Sequence, residues 1–320
     1  MNKRRLDVLA VGEILVDFIS DTEQVSLADS RHFTTFPGGA VTNVALNVAM
    51  LGGSSLLVAC TGDDAFGVFL KHCLQEAGVQ TTCLLTTMQA PTTLVAVTRQ
   101  RVTPGFVAYR GAHSFLYPAD MPVSLLPDTF CVHTSAFALS YEPARSTILE
   151  FIGQARGAGC LVSFDPNYDP RTWDKDSDPL TIVANACRLA TLVKPSLDDC
   201  ARLLGPGQSP EACAARFLEW GAQHVVLTMG AKGSLLVDDS GSFHYPVKPV
   251  HVVDVTGAGD SFWAGLLLAL RDGFSMPKAV HFAQAVAEIK LQRVGPLFQH
   301  TNRFALYEEL DVLPHPGRLP

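Results

Sequence analysis

Short apolar runs alternate with helix-spaced segments along most of the chain. Val8-Leu-Ala-Val11, Leu56-Leu-Val-Ala59, Leu161-Val-Ser-Phe164, Thr191-Leu-Val193 and Val225-Val-Leu-Thr228 show no alternating polar face, which predicts strands buried on both sides. Between them, Phe66–Ala77, Pro143–Ala158 and Pro210–Trp220 carry apolar residues at helical spacing and end near glycine or a loop. The alternation predicts βα units: an α/β fold with a mostly parallel central sheet and helices on both faces. Binding sites of such sheets lie beyond the carboxyl ends of the strands.

Two regions break the rhythm, at about 13–36 and about 92–112, where strand patterns occur with little helix. Thr93–Thr98 and Phe106–Tyr109 read as a hairpin around Pro104-Gly105. These segments form either a small β-sheet lid over a strand-end site or an antiparallel extension of the main sheet. Length adds one bound: 320 residues suit a single α/β domain over 1–320 with such an appendage. Pro314-His-Pro-Gly-Arg-Leu-Pro320 reads as a loose tail.

Composition narrows the function. The net charge of -7 provides no positive field for nucleic acid, and the basic run Lys3-Arg4-Arg5 is too short to change that. Asp7, Glu13 and Asp17 interrupt the apolar run a signal peptide needs, and no stretch has the length of a membrane span. The eight cysteines contain no Cys-x-x-Cys pair and read as reduced thiols of a cytoplasmic protein. The ten histidines show no zinc-ligand spacing.

Chemistry concentrates in Asp254-Val-Thr-Gly-Ala-Gly-Asp260, which runs into the apolar segment Ser261–Leu270. Gly257, Ala258 and Gly259 let the backbone approach a ligand closely. The spacing of Phe262, Leu266, Ala269 and Leu270 puts Asp260 in the first turn of a helix. Free N–H groups and the helix dipole there attract a phosphate. A carboxylate at the same place either stabilises the helix start or does chemistry on the group that attacks the phosphate. The stretch has no Gly-Lys-Ser/Thr P-loop, and Phe262 stands where a dinucleotide fingerprint needs its third glycine. His-Arg-Asp and Asp-Phe-Gly are absent too, so no protein-kinase signature is present. A second constellation, Pro37-Gly-Gly-Ala-Val-Thr-Asn43-Val-Ala45, takes a Gly-Gly turn into a helix. Asn43 is either an ordinary residue near a helix start or an amide that grips a vicinal diol.

These motifs, in this order, resemble the ribokinase-like (PfkB) carbohydrate kinase family over residues 6–310. Gly12-Glu-Ile-Leu-Val-Asp17, Gly62-Asp-Asp-Ala-Phe-Gly67, Phe164-Asp-Pro-Asn167, Lys194-Pro-Ser196 and Leu227-Thr-Met-Gly-Ala-Lys-Gly233 add to the match. The resemblance implies a ribokinase-like fold in which a sugar lies between the main sheet and a β lid, with ATP in a neighbouring groove. Asp17, Gly38, Gly39 and Asn43 would hold sugar hydroxyls, and Asp260 would take the proton of the accepting hydroxyl. The N–H groups of 257–260 would form the anion hole, and Mg2+ would arrive with ATP. Lys194, Ser196, Asp199, Thr228, Gly230 and Gly233 fall on the nucleotide side, with Asp199 where the family usually has Glu. Strand-end turn and helix-start roles are the plain alternatives for Gly230 and Ser196. Asp254 and Thr256 resemble part of a monovalent-cation (K+) site. Lid sheets in the family often pair, which implies a homodimer.

The chain departs from the family after Asp165-Pro-Asn167-Tyr168: position 169 is Asp, and the arginine comes at Arg171. Asn167 and Arg171 are carried as substrate-side residues. Phe106-Val-Ala-Tyr-Arg110-Gly-Ala resembles fructokinases and 2-keto-3-deoxygluconate kinases. Arg110 there is either a surface arginine or a group that meets a sugar oxygen or carboxylate. A fructokinase-like enzyme acting on fructose or a related ketose is the expectation. A 2-keto-3-deoxygluconate kinase, a nucleoside kinase and a non-catalytic sugar sensor are the alternatives.

Overall fold

The computed structural model describes residues 5–23, 25–99, 105–293 and 300–310. Lys3, Arg4, Pro104 and the segment 314–320, named above, lie outside the described residues. The main sheet has nine strands. In spatial order they are β13 (Gly241–Tyr245), β12 (Ser234–Asp238), β11 (His224–Thr228), β10 (Leu192–Val193), β9 (Leu161–Asp165), β8 (Thr129–Ser135), β1 (Leu6–Val11), β4 (Ser55–Gly62) and β5 (Leu84–Thr87). Pairing is parallel from β11 through β5, and β12 and β13 close one edge antiparallel.

Alternation along the strands splits the core into two layers. Val8 and Ala10 of β1 join Leu57 and Ala59 of β4 on one face, while Leu9, Val11, Leu56 and Val58 pack on the other. The first face is covered by α1 (Ala40–Met50), α2 (Ala65–Glu76), α7 (Ala258–Arg271), α8 (Met276–Leu291) and α9 (Arg303–Glu309). The second is covered by α3 (Ala144–Gly157), α4 (Pro179–Leu189), α5 (Leu197–Leu204) and α6 (Pro210–Glu219). Strands wet on neither face therefore read as unbroken apolar runs. Helix starts are local: Asp64, Asp178 and Ser209 each cap a helix by accepting an N–H from its first turn. Among the described residues no helix is long and apolar enough to cross a membrane. All eight cysteines are free thiols.

A separate four-stranded sheet contains β2 (Leu15–Glu23), β3 (Phe33–Gly38), β6 (Leu94–Arg99) and β7 (Phe106–Tyr109), in the order β3-β2-β6-β7. The segments that broke the rhythm thus pair with one another and do not extend the main sheet. The expected β6–β7 hairpin is antiparallel, with Leu94 opposite Tyr109. The sheet is mixed, because β2 and β6 run parallel.

Helix α7 is sunk in the first core layer against α1 and α8, and Trp263, Ala264 and Leu266 to Ala269 are fully buried. Its close crossing with α8 depends on Gly265, where an added Cβ would stand 3.1 Å from Ala283 Cα and from Val286 Cγ2. Gly265→Leu forces that crossing apart. It should cost roughly 1–3 kcal/mol, as overpacking does. A lower urea midpoint at unchanged m-value is the expected result; an unchanged midpoint would mean that the α7–α8 interface is loose.

Candidate active site

Four neighbouring strands deliver polar side chains to one end of the sheet. Glu13 follows β1, Ser135 ends β8, Asp165 ends β9 and Lys194 follows β10. All four are buried. The N-terminus of α7 faces this row: Trp263 Nε1 donates to Asp165 Oδ2 at 2.8 Å, and Lys194 Nζ lies 3.3 Å from the same oxygen. Asp165 Oδ1 accepts from the N–H of Asn167 at 3.2 Å, so both carboxylate oxygens are engaged.

Asp260 sits in the first turn of α7, as its spacing predicts. Gly257 caps the helix with φ 73°, a left-handed value that glycine adopts without strain. The N–H of Ala258 donates to Val255 O at 3.2 Å, which removes it from the anion hole expected over 257–260. The N–H groups of Gly257, Gly259 and Asp260 have no acceptor among the described residues. Three donors of the expected four are thus left unpaired among the described residues. Gly259 is exposed, and an added Cβ there would stand 3.6 Å from Lys194 Nζ, so the lysine ammonium lies beside these donors.

The Gly-Gly turn brings the other motif to the same corner. Asn43, in the first turns of α1, donates from Nδ2 to Asp260 Oδ2 at 2.9 Å. Asn43 is buried, and its Oδ1 has no partner among the described residues. An orphaned buried acceptor beside a carboxylate suits a ligand hydroxyl. Asp17 on β2 approaches from the small sheet. A Cβ at Gly38 would lie 2.3 Å from Asp17 Oδ2, so glycine is required for that carboxylate to stand where it does. Gly39 has φ 100°, and a Cβ there would meet Glu13 O at 2.8 Å.

Glu13 is the residue that sequence reasoning missed, although it lies within the quoted 12–17 run. It is fully buried and accepts from Val41 N at 3.1 Å and Ser135 Oγ at 2.8 Å. Burial pushes Glu13, Asp17 and Asp260 up to about 7. Repulsion from Asp260 adds to the rise at Glu13 and Asp17; at Asp260 the Asn43 hydrogen bond, Lys194 and Lys290 oppose it.

The nucleotide-side residues form a neighbouring strip. Ser196 and Thr228 bridge the ends of β10 and β11, and Thr228 N donates to Pro195 O at 2.9 Å. Gly230 has open space where a Cβ would be, whereas a Cβ at Gly233 would strike Tyr245 O. Asp199 does not face this strip freely. One of its carboxylate oxygens accepts from Ser196 N and Oγ in a capping box, and the other accepts from Tyr168 N. Asp199, placed on the nucleotide side by the resemblance, is thus held at the start of α5 by hydrogen bonds to both of its oxygens. Asp254 accepts Thr256 N on its carboxylate and Lys290 Nζ on its carbonyl.

The two arginines are anchored to structure. Arg171 grips both oxygens of Asp169 at 2.7 and 2.8 Å and lies 4.0 Å over the Phe106 ring of β7. Asp169, the departure from the family pattern, is therefore the partner of the displaced arginine. Asn167 is exposed with φ 26°. Arg110 is sandwiched between Phe137 and Tyr141, donates to Thr172 O, and reaches His113 Nε2 at 2.8 Å. Burial pushes His113 down to about 3, so its ring is neutral. With Nε2 accepting from Arg110, the ring proton is on Nδ1 and donates to Thr93 Oγ1 at 2.6 Å. Burial holds the Arg110 guanidinium below its usual pKa, at about 10, and the nearby Tyr141 and Glu13 oppose that shift.

The geometry agrees with what the chain resembles as a whole. Residues 5–302 match the pfkB family carbohydrate kinase description. An ATP-dependent 6-phosphofructokinase of Thermoanaerobacterium thermosaccharolyticum is 33% identical over 294 residues, covering 92% of this chain and 90% of that protein. The fructokinase structure from Halothermothrix orenii is 34% identical with a TM-score of 0.79, covering 91% and 99% of the two chains. Aminoimidazole riboside kinase from Salmonella enterica, solved with aminoimidazole riboside and an ATP analog, is 28% identical with a TM-score of 0.82, covering 95% and 99%. With a matched segment that spans almost the whole chain, the protein belongs to the pfkB family of carbohydrate kinases.

Proposed function

We propose that the chain transfers the γ-phosphoryl group of ATP to a hydroxyl of fructose or a related ketose. Family membership makes it a phosphotransferase acting on a sugar hydroxyl. The observation that carries the mechanism is the Asp260 carboxylate, held by Asn43 at 2.9 Å at the α7 N-terminus, whose Gly257, Gly259 and Asp260 N–H groups have no acceptor among the described residues. Asp260 takes the proton from the accepting hydroxyl, whose oxygen then attacks the γ-phosphorus as ADP leaves. The N–H groups of Gly257, Gly259 and Asp260, with the Lys194 ammonium, hold the charge that develops on the phosphoryl oxygens.

Sugar hydroxyls bind Asp17, Asn43 Oδ1 and the backbone at Gly38 and Gly39, on this reading. ATP lies along Ser196, Thr228, Gly230 and Gly233. Magnesium would neutralise part of the triphosphate charge when it binds with ATP. Among the described residues no cluster of three metal-ligating side chains occurs, and phosphate oxygens and water would hold the ion. The chain works as one kinase unit in the cytoplasm, with the small sheet as lid. Arg171 on Phe106 and Arg110 on Thr172 O tie that lid to the loop after β9. Val107 and Tyr109, 45% and 63% exposed on the outer strand β7, suit pairing of two lids in a homodimer.

A second reading has its own observation. Arg110 is a cation close enough to Glu13 to feel its charge, and it could hold the phosphate of an already phosphorylated ketose or the carboxylate of a 2-keto-3-deoxy acid. Its guanidinium is shared with His113 and Thr172 O, which favours the neutral sugar.

Three outcomes are expected. Asp260→Asn should keep the melting temperature and cut turnover by about 10²–10⁴-fold, the usual contribution of a positioned base; turnover near wild type would remove Asp260 from the role. The base works ionised, so kcat/KM should rise with pH through an apparent pKa of about 7 and level off above it. That value belongs to the coupled acids Glu13, Asp17 and Asp260 together, and a limb near pH 4 would show that the site is wetter than its geometry implies. In a panel of fructose, other ketoses, fructose 6-phosphate, 2-keto-3-deoxygluconate and nucleosides, sugar-dependent ADP release should be greatest with a neutral ketose. Fastest turnover of an anionic sugar would transfer the assignment to the second reading.

A further inference from the structure

Lys290 is a fully buried ammonium outside the mechanism described so far. It lies in the last turn of α8 and donates to the carbonyl of Asp254 at 2.9 Å. The same turn is pinned a second time, because Val253 N and Asp254 N both donate to Leu291 O, at 2.8 and 3.3 Å. Three residues further on, Gly257 begins the row of N–H donors at the start of α7. Lys290 therefore supports the loop that carries the anion hole, from the protein side.

A buried ammonium is costly, and an apolar side chain of similar volume usually packs at least as well. Burial pushes the Lys290 pKa down, while the nearby charges of Asp254 and Asp260 oppose that shift. The negative end of the α8 dipole favours a cation there as well. Asp254 and Thr256 resemble part of a monovalent-cation site, but the Asp254 carbonyl already faces an ammonium. A metal ion at that oxygen would sit against a second buried positive charge, so these residues do not fit potassium.

We propose that Lys290 is a tethered monovalent cation: its ammonium at the Asp254 carbonyl holds the anion-hole loop in shape and supplies the positive charge, making turnover independent of potassium. The inference rests on the kinase reading for its rate arm, whereas its stability and binding arms need no turnover. Lys290 touches no reacting atom and acts as a positioning residue.

The test compares wild type and Lys290→Met in tetramethylammonium, sodium, potassium and ammonium chloride at equal ionic strength. Three readouts are followed: sugar-dependent ADP release, melting temperature, and affinity for a non-hydrolysable ATP analogue by calorimetry. Wild type should show the same rate, melting temperature and affinity in potassium as in tetramethylammonium. Lys290→Met should lose about tenfold or more in kcat, weaken for the nucleotide, and recover in potassium or ammonium but not in tetramethylammonium. Wild-type activation or specific stabilisation by potassium overturns the proposal. So does a Lys290→Met enzyme that keeps its rate without added cation, or one that folds, loses rate and is not rescued. If Lys290→Met does not fold, the wild-type comparison alone decides. Absence of ADP release with every sugar would count against the kinase reading, and the melting and calorimetric arms would still judge the lysine.

Discussion

The site depends on holding like charges close together at a largely desolvated corner, with Glu13 fully buried and Asp17 and Asp260 half-buried. Glu13, Asp17 and Asp260 converge from β1, β2 and α7, and each is harder to ionise than in the unfolded chain. Ionising them at neutral pH therefore draws on folding free energy. At Asp260 the Asn43 amide and the Lys194 and Lys290 ammonium groups oppose the rise, and the positive end of α7 favours the same ionised form; at Glu13 the hydrogen bonds from Val41 N and Ser135 do so. A carboxyl poised near neutrality is what a general base needs, because it can take a proton from a sugar hydroxyl and release it to solvent afterwards. On the proposed reading, the electrostatic tension and the proton-accepting role of Asp260 are one property of the arrangement.

Close approach of backbone makes the arrangement possible. At Gly38 the missing Cβ is the space that Asp17 occupies, and at Gly39 it is the space of the Glu13 carbonyl. A methyl at Gly38 would displace the Asp17 carboxylate, and one at Gly39 would press on the Glu13 backbone. The motif glycines thus serve two purposes: they shape the turn into α1, and they clear volume for acids contributed by another strand.

Much of this was legible in the chain. Runs with no polar face predicted the parallel strands, and those strands run side by side because both of their faces are covered. The helix period after Gly257 fixed Asp260 in a first turn, which the structure repeats. What the sequence could not show were contacts between distant residues. Glu13 looked like an acid breaking an apolar run, and its burial depends on Ser135, 122 positions away. Trp263 looked like core and is core, yet its indole N–H orients Asp165 from 98 positions away. The donor lost at Ala258 is a turn hydrogen bond to Val255, which no periodicity reports. Lys290 sits in a helix whose pattern marks it only as a basic residue in the last turn.

The departures from the family pattern acquire a physical meaning in this light. Asp169 and Asp199 were the positions at which a shorter or opposite charge put the phosphate side in question. Each now closes a local circuit: Asp169 with the displaced Arg171, and Asp199 with the Ser196 turn and the Tyr168 N–H. Aspartate has the length for a capping box across three residues, so position 199 stiffens the strip beside β10 instead of projecting from it. Arg171 in turn stacks on Phe106, so the charge that could have faced a phosphate links the loop after β9 to the small sheet. Positive charge beside the anion-hole donors is thereby carried by Lys194, buried against Asp165 and held beside Gly259 by the same strand end. Arg171 is half exposed and paired with Asp169, whereas Lys194 is buried beside Asp165 near Gly259, where the lower dielectric makes a charge count for more.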